Sequence, residues 1–85
     1  MPSKIYQKGR SHEYYVKSKY EGFGYWVLRS AGSHTIVDLI AIKRTPSGTI
    51  IIPIQCKSGS ATMSRAELEK INEFEQITGL KVKIE

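Results

Sequence analysis

Two apolar runs rich in β-branched residues, "IVDLIAIKR" at 36–44 and "TIIIPIQCK" at 49–57, stand either side of the turn cluster "TPSG" at 45–48. Strand, turn chemistry and strand in that order specify an antiparallel hairpin. A preceding segment, "GYWVLRS" at 24–30, is rich in aromatic and β-branched residues and is linked to the hairpin by "AGSH". It reads as a first strand, so three short-connected strands form an antiparallel meander.

Helical patterning brackets the meander. Residues 6–21, "YQKGRSHEYYVKSKYE", lack proline and carry Tyr15, Val16 and Tyr20 near helical spacing, with Gly9 the weak point. In "MSRAEL", Ser64 as N-cap and Glu67 three residues on form a capping box, and Met63 is placed to staple onto Leu68. Leu68, Ile71, Phe74 and Ile77 give one apolar stripe, and Gly79 supplies the stop. "LKVKIE" at 80–85 alternates as a fourth strand, and a strand–helix–strand connection favours a parallel pair with a right-handed crossover. The expected architecture is α/β, in the order αβββαβ, over one domain spanning residues 1–85. It has no repeat or low-complexity segment.

Composition narrows the setting. One cysteine permits no intrachain disulfide and fits a reducing, intracellular environment. No long apolar run marks a membrane span, and the N-terminus lacks the apolar core of a signal peptide, so a cytoplasmic location is expected. The charge of +5 is unevenly placed: residues 1–30 hold six basic residues against two acids, whereas 65–75 hold four acids against two basic residues. A basic N-terminal half points to a polyanion, nucleic acid being the commonest.

Two strand positions break the apolar pattern. Asp38 interrupts "IVDLIAI", and Gln55 with Lys57 turns one face of the third strand polar while Cys56 points to the other. An unpaired carboxylate at Asp38 would cost several kcal/mol of desolvation, so something compensates it. Either Lys57 pairs with it and fixes strand register, or a cation is shared among oxygen donors. Mg²⁺ suits Asp38, the Gln55 amide oxygen, the Cys56 backbone carbonyl and waters, with Mn²⁺ an alternative. Open positions on such an ion admit a phosphate oxygen and an attacking water, which Lys57 would orient, deprotonate or neutralise. His12 and His34 lack partners at zinc spacing, Cys56 reads as a small core hydrophobe, and most of Tyr14, Tyr15, Tyr20, Tyr25 and Trp26 read as core.

The run "QKGRSHEYYVKSKYEGFGYWVLRSAGSHTIVDLIAI" followed by "IIPIQCKS" resembles the archaeal Holliday-junction resolvases of the PD-(D/E)xK nuclease superfamily. The likeness covers roughly residues 7–58, and "LRSAGS" with "VDLIAI" is its most specific part. It implies a restriction-endonuclease-like core, a mixed four-stranded sheet flanked by helices, and Mg²⁺-dependent cutting of branched DNA such as Holliday junctions. By position, Glu13 matches the helix glutamate that supports the metal, Ser33 the loop serine, Asp38 the metal aspartate and Lys57 the catalytic lysine. Lys8, Arg10, Arg29, Ser30 and Ser33 would hold the DNA backbone. Two symmetric cuts imply a C₂ homodimer. Gln55 departs from the family, which usually has a carboxylate there, and opens the alternative of a catalytically weak or inactive nuclease-fold DNA-binding protein. The chain is also shorter than its relatives. Pro53 cannot donate to a ladder and calls for a bulge or an unpaired edge.

Overall fold

The computed structural model describes residues 4–30, 35–57 and 62–85, with backbone alone for 4–10. The elements are α1 (Lys4–Gly22), β1 (Trp26–Arg29), β2 (Leu39–Thr45), β3 (Gly48–Gln55), α2 (Arg65–Thr78) and β4 (Lys83–Ile84). Helix α1 extends slightly beyond the pattern at both ends. It ends at Gly22, and the chain turns away at Gly24, whose φ of 92° only glycine adopts freely. Lys43 Nζ donates to the Phe23 carbonyl there at 2.8 Å, placing a cation at the helix C-terminus.

The sheet order is β1-β2-β3-β4; the first three strands are antiparallel and β4 runs parallel to β3. Thr45 pairs with Gly48 across Pro46 and Ser47, so the hairpin forms where the turn cluster put it. Register continues through Pro53, which faces Ile40 without a bulge. Of the two outcomes expected for Pro53, the edge applies: among the described residues, β4 pairs only with Ile54 and Gln55 and no strand pairs with the rest of β3 on that side.

Strand alternation sends Val27, Leu39, Ala41 and Ile54 to one face, where they bury against Val16 and Tyr20 of α1. Ile52, Tyr25 and Cys56 pack around this core, so Cys56 is the small hydrophobe its alternation suggested. The opposite face carries Trp26, Leu28, Ile40, Ile42 and Ile51. Here expectation and structure part. The capping box at Ser64 and the αL stop at Gly79 both form, yet α2 buries none of its residues. Leu68 is 54% and Ile77 77% exposed, so the stripe does not seal onto the sheet. Phe74 lines a groove together with Leu28, Ile36, Val37 and Ile40. The aromatic residues are corrected too: Tyr20 is core and Tyr25 half-buried, but Tyr14, Tyr15 and Trp26 are exposed. Helical or strand spacing alone does not tell an aromatic's face when part of the molecule's apolar surface stays uncovered.

Among the described residues, no helix is long and apolar enough to cross a membrane.

Candidate active site

Asp38 sits one residue before β2, held by the backbone ladders on either side. Its N–H donates to the Ile54 carbonyl at 2.8 Å and its carbonyl accepts from Ser30 N at 2.9 Å. The side chain is thereby aimed at the end of β3, where Oδ2 accepts the Cys56 N–H at 2.9 Å. Burial pushes the Asp38 carboxyl above its ordinary range; the Cys56 N–H opposes this, the Glu13 charge adds to it, and Lys57 and Arg29 oppose it. Two carboxylates and two cations therefore act on one another here, and Asp38 remains under-compensated.

Glu13 reaches the cluster from α1, and Arg29, the last residue of β1, bridges to it with Nη2 at 3.4 Å from Oε2. The guanidinium lies over the Tyr14 ring, 5.3 Å from its centroid, so this exposed tyrosine supports the cation through its π face. Among the described residues, Arg29 Nε is buried and has no hydrogen-bond partner. A buried guanidinium donor left open is suited to an anionic oxygen from outside the chain.

Gln55 is buried, and its amide nitrogen faces the Ile36 carbonyl and Asp38 Oδ2, the latter 3.3 Å away. Both neighbours are acceptors, so hydrogen-bond chemistry assigns the NH₂ to that side and turns the amide oxygen away. In this arrangement Gln55 donates to Asp38 instead of sharing an ion with it. A carboxylate at 55 could not do so.

Lys57 does not pair with Asp38. Its Nζ lies 2.6 Å from Oε2 of Glu67 on α2, while its backbone N–H donates to the Glu85 carbonyl at 2.8 Å. Lys57 is the main cause that holds the Glu67 carboxyl down, to about 2, with the Ser64 N–H next. Sequence reasoning recognised Glu67 as a capping residue and missed its second partner, because no local pattern connects Lys57 with a residue ten positions on.

Ser33 lies outside the described residues, as do the side chains of Lys8 and Arg10, whose backbone belongs to α1. Ser30 is half-buried beside Asp38. Among the described residues no three His, Cys, Asp or Glu side chains group as a metal centre. An ion would therefore rely on Asp38 and Glu13, on amide or carbonyl oxygens, and on water. The donors fit a hard cation: all are oxygens, and the under-compensated Asp38 is what such an ion relieves.

No family model matches the chain. It is 39% identical over 77 residues to the crossover junction endodeoxyribonuclease Hjc of Methanocaldococcus jannaschii, covering 87% of this chain and 54% of that protein. The chain thus spans about half the length of the curated relative it matches. A solved structure described as a VRR_NUC domain superposes with a TM-score of 0.63 at 24% identity, over 91% of this chain and 82% of that one. The chain accordingly shares the fold of that domain, a mixed four-stranded α/β sheet flanked by two helices.

Proposed function

We propose that this chain, a homologue of the archaeal Holliday-junction resolvase Hjc, is a metal-dependent endodeoxyribonuclease acting on branched DNA inside the cell. The observation that carries the reading is the convergence on Asp38: a half-buried carboxylate at a strand start, pressed by Glu13 and flanked by the cations Arg29 and Lys57.

Asp38 and Glu13 would hold Mg²⁺ or Mn²⁺, helped by the Cys56 carbonyl and, after a turn of its amide, Gln55. Such an ion supplies a water acidified for attack and a Lewis acid for the phosphate oxygen. The chain's own groups do the rest. Arg29 offers its open Nε to a non-bridging phosphate oxygen and so positions the phosphodiester beside Asp38. The Cys56 N–H keeps Asp38 Oδ2 oriented through the reaction. Lys57 supplies positive charge where the phosphorane becomes more negative. Lys8 and Arg10 on α1, with Ser30 and Ser33, hold the DNA backbone.

A homodimer accompanies this reading. Trp26, Leu28 and Ile51 on the sheet, at 62%, 50% and 41% exposure, and Leu68 and Ile77 on α2 leave an apolar face that a second copy would cover.

Asp38→Asn tests the chemistry. It should abolish cleavage of a labelled four-way junction in Mg²⁺ or Mn²⁺ while DNA affinity stays within a few-fold, because the ion loses an anionic ligand and the DNA loses no contact. Cutting at the parent's rate would place the site elsewhere. One observation favours a second reading, a DNA-binding protein that does not cut: the Gln55 amide, turned to donate to Asp38, takes a place an ion's ligand would need. Binding of the junction with no cleavage in either metal selects it.

A further inference from the structure

We infer that Glu67 is a positioning residue for Lys57, so that the first turn of α2 sets where the site's lysine ammonium is held. The inference rests on the nuclease reading for its consequence and on geometry for its substance.

Lysine carries a compact charge on a flexible four-carbon stem, and such a stem at the end of a strand does not by itself fix its ammonium. Lys57 lies two residues past the end of β3, and its side chain is 24% exposed. An ordinary surface ion pair would not hold it, since both partners would be mobile. Glu67 differs because its carboxylate is anchored at the other oxygen. Oε1 accepts the Ser64 N–H at 2.9 Å, and the Glu67 N–H donates to Ser64 Oγ at 3.1 Å. With the capping box locking the rotamer, Oε2 is presented 2.6 Å from Lys57 Nζ. Each carboxylate oxygen has a separate task, one for the helix end and one for the lysine. The cation so placed is near enough to Asp38 to oppose the rise of its carboxyl.

The two tasks can be separated. Glutamine serves at the third position of a capping box as well as glutamate does, so Glu67→Gln keeps the cap and removes the charge facing Lys57. Junction cleavage at saturating DNA should fall on the order of 10-fold or more, as for a misplaced catalytic group. Junction affinity should stay at the parent value, and melting temperature should fall only modestly, since the lost pair is partly open to solvent. In a Lys57→Ala background, Glu67→Gln should have no further effect on the residual rate. Independently of cleavage, ¹⁵N relaxation of the lysine ammonium groups should show Lys57 Nζ more mobile in Glu67→Gln than in the parent.

Unchanged ammonium mobility overturns the inference. So does parental or faster cleavage by Glu67→Gln, the latter meaning that Glu67 restrains Lys57 from acting. A loss that persists without Lys57, or that vanishes when both proteins are assayed well below their melting temperatures, shows a structural role and overturns it too. If the parent cuts no junction in Mg²⁺ or Mn²⁺, the nuclease reading fails and Glu67's part in cleavage fails with it; the ammonium data then decide the clamp alone.

Discussion

Replacing Gln55 by glutamate sets a second carboxylate beside Asp38 and should make the metal-free protein markedly less stable. The amide donates to the Ile36 carbonyl and to Asp38 Oδ2 at 3.3 Å, and a carboxylate can donate to neither. If both carboxylates stayed ionised at about that separation, their repulsion would be roughly 5 kcal/mol at an effective dielectric constant near 20. Keeping one proton on the pair at pH 7 is the lesser cost, about 3.7 kcal/mol for a carboxyl with an unfolded pKa near 4.3. The pair therefore keeps the proton, and the metal-free variant loses about 3–4 kcal/mol, or on the order of 15–30 °C in melting temperature for a domain of this size. The sign with pH follows. The folded variant binds more protons than the unfolded chain, so the deficit shrinks by about 1.4 kcal/mol per unit as pH falls toward 4.5. A divalent cation relieves the same repulsion, so the Mg²⁺-dependent rise in melting temperature should exceed the parent's and half-maximal cleavage should need less metal. Thermal melts in chelator and in millimolar Mg²⁺, repeated at pH 5 and 7, check each step. A metal-free Glu variant that melts within a few degrees of the parent at pH 7, or a metal-dependent rise no larger than the parent's, would refute the reasoning.

Lys8→Ala or Arg10→Ala should weaken DNA binding across sequences and lower the salt slope by about one unit each, read from affinities over a range of salt. Tyr20→Phe removes the hydroxyl that donates to Glu85 Oε2 at 2.5 Å and should cost about 2 kcal/mol in denaturant titration. Because burial and then Glu85 raise the Tyr20 phenol from 10.0 to about 12, its contribution is complete below pH 10 and is lost between there and pH 12. An alkaline unfolding profile unchanged in the Phe variant would contradict that. Cys56 should resist alkylation in the folded state: burial first, then the Asp38 charge, push its thiol from 9.0 to about 12, which cuts the thiolate fraction roughly a thousandfold at pH 8.

How far the sequence could be read depended on how local each determinant is. The Ser64–Glu67 box, the turn at 45–48 and the Gly79 stop are written within a few residues and form as read. Asp38 was conspicuous because a carboxylate inside an apolar strand has no cheap solution. The partner of Lys57 was illegible, since strand alternation fixes a face but not which distant side chain meets it. The orientation of the Gln55 amide depends on the Ile36 carbonyl, a backbone group that any residue at 36 would supply. The stripe on α2 was legible as a stripe, yet periodicity says only that a face is apolar and is silent on whether the same chain covers it.

Helix α2 buries none of its residues, which bears on how independently it unfolds. Segments with little buried apolar area open at low free energy, whereas α1 and the central strands share a core and part only in global unfolding. Its amides should therefore exchange with solvent well before those of β2, through excursions in which the helix melts while the sheet persists. Each excursion also releases Lys57 from its clamp. The fraction of molecules with the lysine in place is then set by the opening equilibrium of this one helix, and whatever settles on its exposed face would raise that fraction without touching the site.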